Sequence, residues 1–323
     1  MISLNRSEID ALIDYLSAVN AIEDAYRAVS LGTVNLPPVG HITFPEFEAD
    51  CHIKFGHIQN DSNFVIKVAT GFPNNAVVGH PTGNGLSIVV SAQTGAVKAI
   101  LHDEMMLTDI RTGIGGAIAT RLFARAESQR ILIVGSGIQA ARQIEAHNRL
   151  LNQNTTFETW ARSPQKAEQI ADRFSDIVNV SAVGDLEKAC RAADVIVTCT
   201  GATRPVIKRD WIQSGTHISA IGADAPGKQE LETTLVSDAD GLFADLSQQS
   251  LDHGEFSTAS KKQLIHKSQV KNFGEVLLDP RLGRQADDDI TIADLTGLAA
   301  QDIVMANIVL SAHEARFQPD SIC

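Results

Sequence analysis

The stretch Ile131-Leu132-Ile133-Val134-Gly135-Ser136-Gly137-Ile138-Gln139-Ala140 decides how the second half of this chain folds. An apolar run of strand length ends at Val134, two glycines follow, and helical spacing then continues through residue 151. Strand, glycine turn and helix in this order form a GxGxxA fingerprint for a dinucleotide. Gly135 permits the tight turn, Gly137 lets the backbone approach a pyrophosphate, and Ala140 lets the helix pack closely on its strand. The phosphates would meet the free N–H groups and positive end of the helix, with Ile138 and Gln139 in its first turn. A strand at residues 156–161 follows, and apolar runs at 194–198, 217–221, 241–244 and 289–292 continue the alternation. This predicts an α/β fold, a Rossmann-type doubly wound parallel sheet.

The end of the second strand should read the adenosine ribose, where a carboxylate favours NAD and a basic group accommodates a 2′-phosphate. Here it reads Trp160-Ala161-Arg162-Ser163, with Lys166 nearby. The expected cofactor is therefore NAD(P)(H) with NADP(H) preferred, held partly by Arg162, Ser163 and Lys166. Thr198-Cys199-Thr200-Gly201 ends a later strand, so Thr198 and Thr200 are expected along the dinucleotide and Cys199 as a small packing residue.

Upstream of the fingerprint the periodicity changes. Residues 7–30 have helical spacing, and residues 35–90 hold short β-rich runs separated by Pro37-Pro38, Gly56, Asn74-Asn75 and Gly83-Asn84-Gly85, read as the turns of an antiparallel sheet. A helix over 107–124, capped by Thr108 or Asp109, carries Gly113, Gly115, Gly116 and Ala117 for tight packing. A last helix over 302–316 lies beyond the parallel sheet and returns to the first domain. The expected division is a discontinuous α+β substrate and dimerisation domain, 1–113 with 302–323, and a Rossmann domain, 114–301.

With 323 residues, 44% hydrophobic and 20% charged, the chain is long enough for two cores. A net charge of -12 disfavours nucleic acid and anionic membranes as partners. Cys51, Cys190, Cys199 and Cys323 show no paired spacing, which fits a reducing, cytoplasmic location. Residues 1–14 mix Arg6, Glu8, Asp10 and Asp14 among apolar positions, unlike a signal peptide, and no run reaches a membrane span.

Hydride chemistry at a carbon–nitrogen bond needs a fixed substrate carboxylate and a group that exchanges a proton with the nitrogen. Lys67 interrupts the apolar run 64–69, Arg111 stands near the start of the small-residue helix, and Asp224 follows an apolar strand in Gly222-Ala223-Asp224-Ala225-Pro226-Gly227-Lys228-Gln229-Glu230-Leu231. These segments, with Gly71-Phe72-Pro73-Asn74, Thr94-Gly95 and Leu107-Thr108-Asp109-Ile110-Arg111-Thr112, resemble the ornithine cyclodeaminase and mu-crystallin family over nearly the whole chain. The resemblance implies that Lys67 and Arg111 hold the α-carboxylate, that Asp224 is the acid or base at the nitrogen, and that Thr112 lies on the cofactor side. It also implies a homodimer formed through the amino-terminal domain.

The family divides between cyclodeaminases, which expel ammonia with catalytic NAD, and reductases, which deliver hydride to a preformed imine. Asp224 and its PGKQEL context resemble the first branch. A distal ammonium, however, calls for an acid upstream of Lys67, where this chain reads Cys51-His52-Ile53-Lys54-Phe55. The usual arginine near a Pro-Pro segment is replaced by His41. Lys54 and His41 suit a substrate with a second carboxylate. The expected activity is an imine reductase acting on an iminosuccinate-like or Δ1-pyrroline-2-carboxylate-like imino acid, with ornithine cyclodeaminase and a non-catalytic NADP-dependent binding protein as alternatives. No metal is expected, since His52 and His57, five apart on a strand, project to opposite faces.

Overall fold

A computed structural model describes residues 1–151 and 154–317; Cys323 lies outside the described residues. The chain divides into two compact units, Met1–Arg111 with Leu298–Cys323, and Thr112–Gly297. The sequence placed the divisions at 113/114 and 301/302. Among the described residues no helix is long and apolar enough to cross a membrane.

The first unit holds seven strands among its described residues: β1 (Ile2–Asn5), β2 (Val34–Asn35), β3 (Gly40–Phe44), β4 (Ala49–Ile58), β5 (Asn63–Gly71), β6 (Gly83–Ser91) and β7 (Val97–His102). They run in the order β1-β7-β6-β5-β4-β2, with β3 also paired to β4. All pairs are antiparallel except β1 with β7. Gly56 and the Gly83-Asn84-Gly85 run are not the expected turns but lie inside β4 and β6. Their reason is close approach: a Cβ at Gly56 would meet the Asn35 carbonyl at 2.7 Å, and one at Gly85 the Val68 carbonyl at 2.5 Å. Pairing sets two faces, since side chains alternate along each strand. Lys54, Lys67 and Ser87 share one, and Phe55, Ile66, Ile88 and Ile100 the other.

Helix Tyr15–Ser30, capped by Asp14 accepting from the Ser17 amide at 2.8 Å, and helix Ala299–Phe317 belong to this unit. The latter packs on Tyr15–Ser30, β4 and β5, so the last helix does return to the first unit. Helix Met106–Phe123 starts earlier than expected, and its cap is neither Thr108 nor Asp109: the Asp103 carboxylate accepts from the Leu107 amide at 3.0 Å.

The second unit is a wholly parallel eight-stranded sheet among the described residues: β8 (Arg130–Val134), β9 (Thr156–Trp160), β10 (Asn179–Ala182), β11 (Val195–Thr198), β12 (His217–Ala220), β13 (Gly241–Ala244), β14 (Val270–Asn272) and β15 (Thr291–Asp294). The order β10-β9-β8-β11-β12-β15-β13-β14 reverses direction between β8 and β11, which is where doubly wound sheets bind ligands. The small residues of Met106–Phe123 work as expected, since a Cβ at Gly113 would meet the Arg142 carbonyl at 2.8 Å. Thr120 Oγ1 lies 2.8 Å from His147 Nε2 on helix Ile138–Leu150, and burial pushes the His147 pKa down to about 4, leaving a neutral packing group.

Candidate active site

In the first unit, the interruption of β5 by Lys67 has a physical answer. Its Nζ donates to Asp302 Oδ1 at 2.9 Å, and Arg111 Nε lies 3.5 Å from the same oxygen, all three side chains being buried. Arg111 also donates to Gln301, whose amide donates to the Tyr26 hydroxyl at 3.0 Å. Burial lowers the Lys67 pKa from the ordinary lysine value, with Asp302 opposing. Burial alone would raise that of Asp302, yet Lys67, Arg111 and Lys54 together hold it below the usual carboxylate range. Asp103 is pushed up to about 6, chiefly by burial. Asp302 Oδ2 and Arg111 Nε are buried without a hydrogen-bond partner among the described residues, so the group retains capacity for a polar ligand. Sequence reasoning missed Asp302 and Asp103. The signal was available, because a lysine inside an apolar strand requires a carboxylate.

In the second unit, Asp224 stands exposed on the loop after β12, its carboxylate accepting from Lys228 Nζ at 2.5 Å across the Pro226-Gly227 turn. What fixes the loop is Glu230, also missed. Its Oε1 accepts from the Thr200 amide at 2.7 Å and the Thr200 hydroxyl at 2.8 Å; its Oε2 accepts from the Gly222 amide at 2.7 Å and the Thr198 hydroxyl at 2.8 Å. Glu255 in turn accepts from the Glu230 and Leu231 amides at 2.9 and 2.7 Å. Burial pushes Glu255 up to about 8. Thr198 is wholly buried, and it and Thr200 both donate their hydroxyls to Glu230. Cys199 is a packing residue with its thiol pKa raised by burial and by Glu230. Asp294 is the buried partner of the Ser250 hydroxyl.

Each Glu230 oxygen faces a backbone N–H, so the amide of Glu230→Gln must set a donor against a donor. One buried amide then loses its acceptor, at about 1–3 kcal/mol. The expected result is a melting temperature lower by several degrees and faster hydrogen exchange at residues 222–230, with exchange elsewhere in the unit little changed. Uniform acceleration across the unit would contradict a local clamp.

The glycine turn fits a dinucleotide. Gly135 adopts φ +146, and a Cβ there would meet Cys199 Sγ at 2.7 Å, so only glycine passes the neighbouring strand. At Gly137 a Cβ would meet nothing within 4 Å, which leaves an open floor before helix Ile138–Leu150, and no side chain caps that helix. Ala140 is fully buried against the sheet. Gln139 follows exposed Ile138 in the first turn, and the Thr112 carbonyl accepts from Gln143 of the same helix at 3.1 Å. Beyond β9, Arg162 and Lys166 are exposed, and Ser163 donates to Gln165 at the start of helix Pro164–Phe174.

His41 does not join Lys67 and Arg111. It stacks on His52, with ring centroids 4.4 Å apart, beside Asp50. His57 instead meets the Asp61 carbonyl at 2.9 Å.

The chain is similar to an archaeal alanine dehydrogenase dimer with bound NAD, with a TM-score of 0.90 and 32% identity over 99% of this chain and 98% of the other. It is similar to the iminosuccinate reductase of Paracoccus denitrificans in complex with NAD+, with a TM-score of 0.90 and 27% identity over 98% and 97%. A Δ1-pyrroline-2-carboxylate reductase of Paracoccus denitrificans (strain Pd 1222) is 30% identical over 246 residues, 75% of this chain and 77% of the other. The family model for ornithine cyclodeaminase and mu-crystallin matches residues 1–316, and with the Lys67 and Arg111 group, the glycine turn and the Asp224 loop in place, the chain belongs to the ornithine cyclodeaminase/mu-crystallin family.

Proposed function

We propose that this chain is an NAD(P)H-dependent imine reductase that delivers hydride to the α-carbon of a small imino acid and yields an L-amino acid. The observation that carries this reading is the cationic group around Asp302. Lys67 and Arg111 suit an α-carboxylate, and Lys54, directly across the sheet from Lys67, adds positive charge where a distal ammonium would require an acid. An iminosuccinate-like substrate uses all three cations, and a cyclic imine such as Δ1-pyrroline-2-carboxylate uses the first two. Asp224 exchanges the proton with the substrate nitrogen. Gly135, Gly137, Ile138, Gln139 and Thr112 hold the dinucleotide, which supplies the hydride when bound. Ornithine cyclodeamination is the second reading, favoured by the Asp224 loop. The reductase similarities named above support the first.

For the cofactor we propose a preference for NADP(H), with Arg162 as the main contact and Ser163 and Lys166 beside it. Arg162→Asp is expected to raise KM for NADPH about tenfold relative to NADH, a lost charge-assisted contact to a 2′-phosphate. Equal KM changes for both cofactors would remove Arg162 from that role. The apolar outer face of the first sheet, with Phe55, Ile66 and Ile88 on neighbouring strands and Ile42 half-exposed on β3, is the surface on which we propose two chains pair. Sedimentation equilibrium checks it.

The activity is tested by following NADPH and NADH oxidation with iminosuccinate, Δ1-pyrroline-2-carboxylate, Δ1-piperideine-2-carboxylate, and pyruvate plus ammonia. Ornithine with NAD is assayed in parallel for ammonia. Stoichiometric consumption of reduced cofactor with an imine is the expected result. Ammonia and proline from ornithine, with no imine reduced, would replace the reductase with the cyclodeaminase.

A further inference from the structure

We propose that His41, Asp50 and His52 form a binding site for a divalent transition ion of zinc-like chemistry on the β3–β4 hairpin. Pairing places His41 directly opposite His52, and Asp50, two residues before His52, falls on the same face. The two imidazoles stack, with centroids 4.4 Å apart and planes 15° from parallel, and both Nε2 atoms lie near one Asp50 oxygen. Asp50 Oδ2 lies 3.2 Å from His52 Nε2 and 3.9 Å from His41 Nε2, and one ligand atom from each of the three residues lies within 4.8 Å of the others.

A hydrogen bond serves only part of this arrangement. At 3.2 Å His52 can bond the carboxylate, but 3.9 Å is beyond hydrogen-bond reach, so His41 gains little from the same oxygen. An ion about 2.0–2.2 Å from each ligand would satisfy all three at once when the two rings rotate about their side-chain bonds out of the stack, so that each in-plane nitrogen lone pair points at the ion. The backbone leaves room for the carboxylate. Gly71 is paired with Asp50, and a Cβ there would meet Asp50 Oδ1 at 2.9 Å. Two imidazoles with one carboxylate select zinc, cobalt, nickel or copper over magnesium or calcium, which prefer all-oxygen shells. The three side chains are between a third and a half exposed, so water can fill the remaining coordination positions. The result is an open, exchangeable site. Its effect on the fold would be to tie the edge strand β3 to β4 through side chains as well as the backbone ladder.

The inference is independent of the reductase reading and gives His41 a different role from the substrate contact expected of it. The test is calorimetric titration of the full-length, chelator-treated protein with zinc, supported by the visible d–d bands of bound cobalt. One zinc ion per chain is expected at micromolar protein, undisturbed by excess magnesium. His41→Ala and His52→Ala are each expected to weaken it at least about tenfold. Asp50→Asn keeps the shape of the side chain and should weaken zinc while leaving the melting temperature of the metal-free protein unchanged, which separates ligand loss from misfolding. Millimolar binding only, or zinc affinity and cobalt bands that persist in both histidine variants, would overturn the site.

Discussion

Asp224→Asn is expected to lower kcat for imine reduction by roughly 10²–10⁴-fold while leaving the dissociation constant of the dinucleotide unchanged. Asparagine keeps the shape of the side chain but cannot exchange the proton. The loop should survive the change, because its ends are held by Glu230 and by the Gln229 amide bonded to the Ala202 carbonyl at 2.9 Å, not by Asp224. The ion pair lost with Lys228 is largely exposed and contributes little. Stopped-flow reduction with fluorescence-detected cofactor binding reads both quantities. Parallel loss of kcat and of cofactor affinity would make Asp224 a structural residue, and retained turnover would exclude it as the proton donor.

Lys67→Met is expected to destabilise the first unit by about 3–5 kcal/mol and to raise substrate KM beyond measurement, since it leaves Asp302 buried with its closest partner gone. Stability and binding can be separated. In Lys67→Met combined with Asp302→Leu and Arg111→Met the buried Lys67–Asp302–Arg111 group is removed whole and none of the three is left as an unpaired charge, so urea unfolding should return close to that of the unaltered chain, whereas the carboxylate grip should not. Recovery of both would show that Lys67 serves the fold alone. The pH dependence carries the same signature. The Lys67 pKa is lowered from 10.5, so kcat/KM should begin to fall at pH values below that as the ammonium is lost. The Asp302 pKa is lowered from 3.8 in the folded chain. Its stabilising share is therefore complete above pH 3.8 and disappears as the pH falls through the lower folded value.

The features legible in the sequence were those set by local periodicity. The strand ending at Val134, its glycine turn and the helix to Leu150 could be read directly, because each follows from the spacing of neighbouring residues. Strands β1, β2, β3, β7, β10 and β14 are not legible in the sequence. They are two to six residues long and owe their conformation to a neighbour, as β1 does to β7 at the edge of the first sheet. A glycine demanded by a close carbonyl, as at Gly56 and Gly85, looks the same in one dimension as a glycine demanded by a bend. In the candidate site, the cations were visible and their counter-charges were not. Asp302 and Lys67 are 235 residues apart, and Glu230 meets Thr198 across 32. His41 and His52 could not be recognised as neighbours without the β3 register.

Because helix Ala299–Phe317 of the first unit follows Thr112–Gly297 in the chain, a ribosome translates all of Thr112–Gly297 while that unit stands incomplete. At ordinary synthesis rates this interval is roughly 10–40 s, long enough for the parallel sheet to fold first. Throughout it, Lys67 lacks its anion and the strands that later receive Ala299–Phe317 are uncovered. The nascent chain therefore presents a chaperone target that vanishes only once Ala299–Phe317 has been made, and truncations that remove this helix should yield aggregates rather than a half-active enzyme.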